Sequence, residues 1–299
     1  MTIRFYMKKA YIYAFATILM WGTIATMSKV LQGNMGTMSV LAYTFILATL
    51  MLAVYNGIKG KLKELFRLPG RVVLKMAAIG SLGVFFCNYT FFRGTVLLPA
   101  QQAMVVNYLW PALVVVFSCF ILKEKMTFSK GLAIVLSMIG IVIVVTNGNL
   151  SGLKLGSAAG IAFCVADAVF YAFYVVLNKR EDYDKGLAIM VAYAAASVMA
   201  VAWALIAGGL EVPSGRQFLG LAYNGMVCNG LAYLLWSLAI DMGNTAVIAN
   251  LAYLSPFVSL LVTHFALGER ITLWSVVGLL LIVSGILVQN MGKSKEAKA

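Results

Sequence analysis

One carboxylate stands in the middle of an apolar run: Asp167 in "GIAFCVADAVFYAFYVV", residues 160–176. An aspartate at the centre of a membrane helix costs about 2.5–3.5 kcal/mol on insertion scales, so such groups face a cavity, or bridge neighbouring helices. Three uses fit Asp167: pairing with an ammonium, taking up a proton, or gluing helices together. A second group lies in "VVNYLWPALVVVF", residues 105–117, where Asn107, Tyr108, Trp110 and Pro111 interrupt a hydrophobic segment. Proline cannot donate to the carbonyl four residues back. The carbonyl of Asn107 therefore loses its helical partner, and Pro256 does the same to Ala252 in "ANLAYLSPFVSL", residues 249–260. Backbone groups freed at membrane depth are tolerated where protein, water or ligand can satisfy them.

The elements that position these residues follow from composition. Hydrophobic residues make up 62% of the 299 and charged residues 11%, against about 45–50% and 25% in soluble domains; mean hydropathy is +0.93. The excess falls in runs of roughly 20 residues, the length that crosses a bilayer as helix. Ten are expected, over about 11–31, 38–57, 73–95, 99–122, 130–146, 156–178, 187–208, 216–240, 243–266 and 272–290. The first is too long for a removable signal peptide and lacks a small-residue cleavage site. Short connections leave no room for a soluble domain. The fold class expected is an all-α membrane protein.

The net charge of +13 describes insertion rather than nucleic acid. With both termini cytoplasmic, eighteen of the 23 Lys and Arg lie on the cytoplasmic side. They sit in the N-tail, the 2–3, 4–5 and 6–7 connections and the tail 292–299, the positive-inside pattern. Anionic lipid is the partner this charge fits. Cys87, Cys119, Cys164 and Cys228 fall within spans, form no Cys-x-x-Cys pair and read as small hydrophobes. The single histidine, His264, reads as interfacial or packing. No metal set or bound cofactor is expected, and no phosphate-cradling Walker sequence is present.

An internal repeat organises the chain. Shifted by 145 positions, Tyr108, Leu109 and Pro111 meet Tyr253, Leu254 and Pro256. Phe120, Leu122, Glu124, Lys125 and Thr127 meet Phe265, Leu267, Glu269, Arg270 and Thr272, while Gly140 and Ile141 meet Gly285 and Ile286. Two halves follow, 1–146 and 147–291. Five spans each is an odd number, so the second half enters the membrane inverted: a 5+5 inverted-topology repeat of ten transmembrane helices. Such repeats characterise secondary transporters, whose site lies near the midplane where interrupted helices meet. Pro111 and Pro256 are repeat mates and the two prolines set mid-span, which makes them the expected helix breaks. Glu124-Lys125 and Glu269-Arg270 are expected to define helix ends and hold the turns to the next spans, with a gating role as the alternative.

Other faces converge on the same depth. Asn229, Tyr233 and Trp236 follow i, i+4, i+7 spacing, and Asn88 is the mate of Tyr233. A shift of 150 sets Tyr13, Thr17, Trp21 and Ser28 opposite Phe163, Asp167, Tyr171 and Asn178. The expected substrate-binding residues are Trp21, Asn88, Asn107, Tyr108, Trp110, Asp167, Tyr171, Tyr233, Trp236 and Tyr253.

On these motifs the chain resembles the drug/metabolite transporter superfamily and its ten-helix EamA-type members, from "MWGTIATMSK" (20–29) to the last span. "VNYLWP" (106–111) is similar to a segment of bacterial aromatic amino-acid exporters. The resemblance implies a bacterial cytoplasmic-membrane transporter with a central cavity between the halves and a small-molecule substrate, and it favours export. Aromatic walls suit rings and organic cations, Asp167 an amine, and the asparagines a carboxylate. The absence of a midplane basic cluster weighs against phosphorylated substrates. An amphipathic, possibly aromatic, amino acid fits first and a choline-like cation second. A receptor without flux is the reading from another class. No nucleophile–base pair, paired deep carboxylates or metal-ligand set argues for an enzyme.

Overall fold

The structure, a computed structural model, describes residues 2–123, 125–148, 157–242 and 251–296; the side chains of 2–7, 145, 237, 240–241, 253, 286 and 289–296 lie outside that description. The described chain is helical throughout, with no strand. In chain order the helices are α1 (Thr2–Gly22), α2 (Ile24–Gln32), α3 (Thr37–Ile58), α4 (Gly70–Ser81), α5 (Cys87–Leu97), α6 (Ala100–Asn107) and α7 (Trp110–Ile121). After them come α8 (Phe128–Thr146), α9 (Ala158–Arg180), α10 (Lys185–Ile206), α11 (Gly215–Ala222), α12 (Ala232–Met242), α13 (Ser255–Leu267) and α14 (Leu273–Glu296). A single turn, Leu62–Leu65, lies in the connection after α3.

Among the described residues, seven stretches are long and apolar enough to cross a membrane: Lys8–Gln32, Thr37–Ile58, Gly70–Leu97, Ala100–Ile121, Ala158–Arg180, Lys185–Ile206 and Gly215–Trp236. Shorter apolar helices cover Phe128–Val144, Ser255–Leu267 and Leu273–Gly285. Large apolar side chains point outward along them, among them Val54, Phe120, Ile206 and Phe265, the last 82% exposed. A helix apolar on its outer face as well as its inner one belongs in lipid.

Packing partners come in matched pairs. α5 packs on α9 and α12 on α1; α7 packs on α9 and α13 on α1; α8 packs on α14 and α3 on α10. The 145-residue shift carries α5 to α12 and α7 to α13, and the 150-residue shift carries the α1–α2 span to α9, so the first member of each of the first two pairs becomes the second. Close approach explains the α8–α14 contact. A Cβ on Gly140 would fall on the carbonyl oxygen of Gly278, and one on Gly285 would fall on that of Ala133. Gly140 and Gly285 are repeat mates, as are Ala133 and Gly278, so one small-residue contact occurs twice.

The repeated threonine also finds its reason. The Thr127 hydroxyl accepts from the Lys130 N–H (3.4 Å) at the start of α8, and Thr272 accepts from Ser275 (3.1 Å) at the start of α14. Each satisfies one orphan donor of a helix N-terminus. Polar contacts collect at two ends. One holds the ion pairs Lys61–Asp184 and Lys75–Glu181, both 2.6 Å. The other holds Lys29–Glu269 (3.3 Å) and the Glu211 carboxylate on the Gly36 N–H (2.8 Å).

Candidate functional site

The two breaks differ from simple proline kinks. α6 ends at Asn107, and tight bonds from Tyr108 N–H to the Val105 carbonyl (3.1 Å) and Leu109 N–H to Val106 (3.0 Å) close its last turn. α7 then starts afresh with Pro111 in its first turn. In the mate, a single 3-10 turn, Ala252–Leu254, precedes α13, whose first turn holds Pro256. First-turn N–H groups have no helical partner in any case, so proline there costs nothing and fixes the restart. The Ala252 carbonyl accepts the Ser255 N–H and also the Tyr108 hydroxyl at 3.2 Å. One break thus supplies a donor that the other break needs.

Between the breaks lies a cavity of about 150 Å³. Trp21 and Ile24 line it from α1 and α2, Gly83, Cys87, Asn88 and Phe91 from the α4–α5 span, and Met104, Asn107, Tyr108 and Trp110 from α6 and α7. Asp167 and Tyr171 reach it from α9, Asn229 and Tyr233 from the α11–α12 span, and Ala252 from the second break. Eight of the ten expected residues are therefore brought together. Trp236 is not on the wall: it lies behind Trp21, ring centroids 5.2 Å apart. Three residues advance an α-helix by about 300°, which turns Trp236 about 60° away from Tyr233. The Tyr253 side chain lies outside the described residues, although its backbone belongs to the second break.

Asp167 is fully buried. The Cys87 thiol donates to Oδ1 at 2.8 Å, and the Asn107 amide donates to Oδ2. Three spans meet on this carboxylate. Among the described residues no cationic side chain forms an ion pair with it. Cys87 is thus a donor at the site rather than the apolar filler expected from sequence. Trp110 meets Tyr171 edge-on at 5.1 Å, and Trp21 meets Tyr233 edge-on at 5.6 Å. Ring edges and faces are therefore fixed by one another across the cavity.

Two wide turns escaped the sequence reading. Leu82–Phe86 and Tyr223–Leu231 are π-helical, one in each mate span of the repeat. Such turns recur at functional sites because they displace backbone carbonyls and re-aim side chains. Here the asparagines absorb the displaced carbonyls. The Asn88 amide donates to Val84 (2.8 Å), and the Asn229 amide donates to Asn224 (2.7 Å) while accepting from the Tyr193 hydroxyl (2.9 Å). Gly83 is required in the first: a Cβ would overlap the ring of Tyr174. The shared signal was the Cys-Asn pair at 87–88 and 228–229.

Comparison with known proteins places this arrangement. A model of the EamA-like transporter family matches residues 8–146 and again residues 158–291. An uncharacterized transporter of Clostridium kluyveri is 25% identical over 97% of this chain and 96% of its own. An aromatic amino acid exporter, YddG of Ancylobacter novellus, is 25% identical over 85% of this chain and 87% of its own. The uncharacterized inner membrane transporter YicL of Salmonella typhimurium is 22% identical over 98% of both. A crystal structure of a protein 22% identical in sequence shares the fold, with a TM-score of 0.66 over 95% of this chain and 97% of that one. Apolar helices, a walled cavity between interrupted spans and a family match in both halves converge: the chain is a multi-pass cell-membrane transporter and belongs to the EamA-like transporter family.

Proposed function

We propose that the protein is a secondary transporter exporting a small amphipathic amino acid, aromatic ones included, by alternating access across a 5+5 inverted repeat of ten spans with cytoplasmic termini. The halves are 1–146 and 147–291, with a short tail at 292–299. Packing partners that exchange under the two repeat shifts, 145 and 150, support this architecture. So do the paired π-turns. The connections after α3 and before α10 meet at one end of the bundle, as an even number of intervening spans requires; the first carries Lys59, Lys61, Lys63 and Arg67, and the last turn of α9 adds Lys179 and Arg180. Basic connections at one end fit the positive-inside rule.

The observation that carries the substrate reading is the Asp167 carboxylate on the wall of a small aromatic cavity. A buried charge without a counterion is costly. A substrate ammonium supplies the counterion, and Trp21, Trp110, Tyr171 and Tyr233 supply ring contacts of about 0.5–1.5 kcal/mol each. An engineered apolar cavity of about 150 Å³ takes up benzene, so this volume matches one six-membered ring. Asn107 sits beside the ammonium position, and the second hydrogen of the Asn229 amide offers a donor to a substrate carboxylate.

One observation favours a second reading. The described wall holds a carboxylate and no lysine or arginine, a lining that suits a choline-like cation as well as a zwitterion. A thermal-stability screen of the detergent-purified protein separates them, since a ligand that binds only the folded state raises the melting temperature by mass action. Stabilisation by phenylalanine, tyrosine or tryptophan supports the amino-acid reading. Stabilisation by quaternary amines alone replaces it. Counterflow in sealed vesicles then distinguishes a transporter of that ligand from a receptor, which binds without flux.

A further inference from the structure

From sequence, Glu269 is expected to define a helix end and hold the turn from α13 to α14, with a gating role as the alternative. Its carboxylate reaches another helix. Oε1 accepts from the Ala100 N–H (2.8 Å) and Oε2 from the Gln101 N–H (3.0 Å), the first two amides of α6. Lys29, in the last turn of α2, reaches Oε1 at 3.3 Å and donates to the Leu98 carbonyl at 2.9 Å. The Gln101 amide returns a bond to the Glu269 carbonyl (3.2 Å). Glu269 is only 15% exposed. A carboxylate on a helix N-terminus satisfies orphan donors and faces the positive end of the helix dipole. Three spans, carrying α2, α6 and α13, are therefore tied at one end of the bundle through a single side chain.

The helix so capped is the one that reaches the cavity. α6 is eight residues long, about 12 Å at 1.5 Å per residue. Its first residues hang on Glu269, and its last, Asn107, donates to Asp167. No proline or wide turn interrupts it. Displacing Asn107 from Asp167 therefore moves the same two-turn rod that Glu269 holds.

We propose that Glu269 and Lys29 latch this end of the bundle shut over the cavity, the outer end in the proposed topology, and that α6 couples the latch to occupancy of Asp167. The coupling rests on the substrate reading above; the latch does not. Opening this end requires the Glu269 carboxylate to leave the α6 N-terminus and Lys29. Closing it restores both.

Cys87 lines the cavity and reports access to it. In intact cells, a membrane-impermeant maleimide reaches Cys87 only through the outer end, and peptide mass spectrometry reads its labelling rate without any substrate. Glu269→Gln and Lys29→Gln are expected to raise that rate about fivefold or more, the shift that follows from about 1 kcal/mol removed from the closed state. Lys29→Arg, which keeps the charge, is expected to return it to the wild-type rate. Lys29→Gln leaves the cap on α6 intact, so it remains informative where Glu269→Gln lowers expression. Unchanged labelling in Lys29→Gln and Glu269→Gln overturns the latch. A failed ligand screen with raised labelling leaves the latch standing and removes the substrate reading. Raised labelling with ligand binding that never alters it removes the coupling through α6.

Discussion

The amide of Asn107, the last helical residue before the first break, donates to the carboxylate of Asp167 in the middle of the neighbouring span. With the Cys87 thiol on the other oxygen, each carboxylate oxygen holds one donor and has a lone pair left over. Removing the charge while keeping the shape tests what that lone pair is for. Asp167→Asn is expected to weaken binding of any amine ligand at least about tenfold, equivalent to about 1.4 kcal/mol. Its ligand-free melting temperature should hold or rise, since an unpaired buried charge is itself destabilising. Ligand titrations by melting shift read both. Undiminished binding with a lower melting temperature would leave Asp167 as a strut between three spans.

The Tyr108 hydroxyl bridges the two breaks through the Ala252 carbonyl. Tyr108→Phe keeps the ring and removes the bond to the Ala252 carbonyl. Side-chain hydrogen bonds in membrane proteins average about 0.6 kcal/mol, and for a chain of this size the melting temperature should fall by about 1–3 °C. An unaltered melting temperature would mean that the Ser255 N–H alone satisfies the freed carbonyl.

Two tryptophans separate cavity from lipid. Trp110 stands on the cavity wall against Tyr171, whereas Trp203 is 46% exposed and packs beside Tyr89. Trp110→Ala should weaken ligand binding by about tenfold or more, from lost ring contact and a larger cavity. Trp203→Ala should leave affinity within about twofold. Equal losses in the two titrations would remove the midplane site.

What the sequence displayed was whatever periodicity and counting can carry. Runs of bilayer length, the Pro111/Pro256 mates and the depth of Asp167 all show as one-dimensional patterns, and eight expected residues share one cavity wall. The π-turns escaped because an extra residue per turn leaves composition untouched; only the Cys-Asn pairs marked them. Trp236 is off the wall because three residues on α12 fall about 60° short of a full turn, so the i+7 member of the stripe faces away from Tyr233. Cys87 as a donor and Glu269 as a cap on α6 depend on partners 80 and 169 residues away. No local signal carries such separations. The repeat did point to Glu269, but not to α6 as the helix it caps.

The α8–α14 contact depends on backbones touching. Gly140→Val would drive a side chain into the Gly278 carbonyl and Ile282, and overpacking of this kind costs about 1–3 kcal/mol. Gly131 lies on the same helix with open space around its Cβ position, where alanine should stabilise the helix by up to about 1 kcal/mol. Opposite shifts in melting temperature are the expected result. A tolerated Gly140→Val would mean that α8 and α14 slide past each other at little cost.

At the other end of the bundle, Asp184 does two jobs that substitution can separate. Its carboxylate accepts from the Leu187 N–H (2.8 Å) as the cap of α10 and pairs with Lys61 at 2.6 Å. Burial pushes the Asp184 carboxyl up, but the Lys61 and Leu187 bonds outweigh it and hold it below its ordinary 3.8. The bond from Asp184 raises Lys61 above its ordinary 10.5. Asp184 thus contributes stability that is complete above about pH 3.8 and lost as pH falls through its lowered folded value. Lys61 contributes stability that is complete below about pH 10.5 and lost as pH rises through its raised folded value. Both groups are about a third exposed, so solvent screening leaves the pair worth little beyond the cap. Asp184→Ala should cost about 1 kcal/mol across neutral pH, while Asp184→Asn, which caps as well as aspartate, should cost a few tenths. Melting curves at pH 7 and at acid pH separate the two jobs. An Asp184→Asn variant as weak as Asp184→Ala would show that the ion pair, rather than the cap, holds this end.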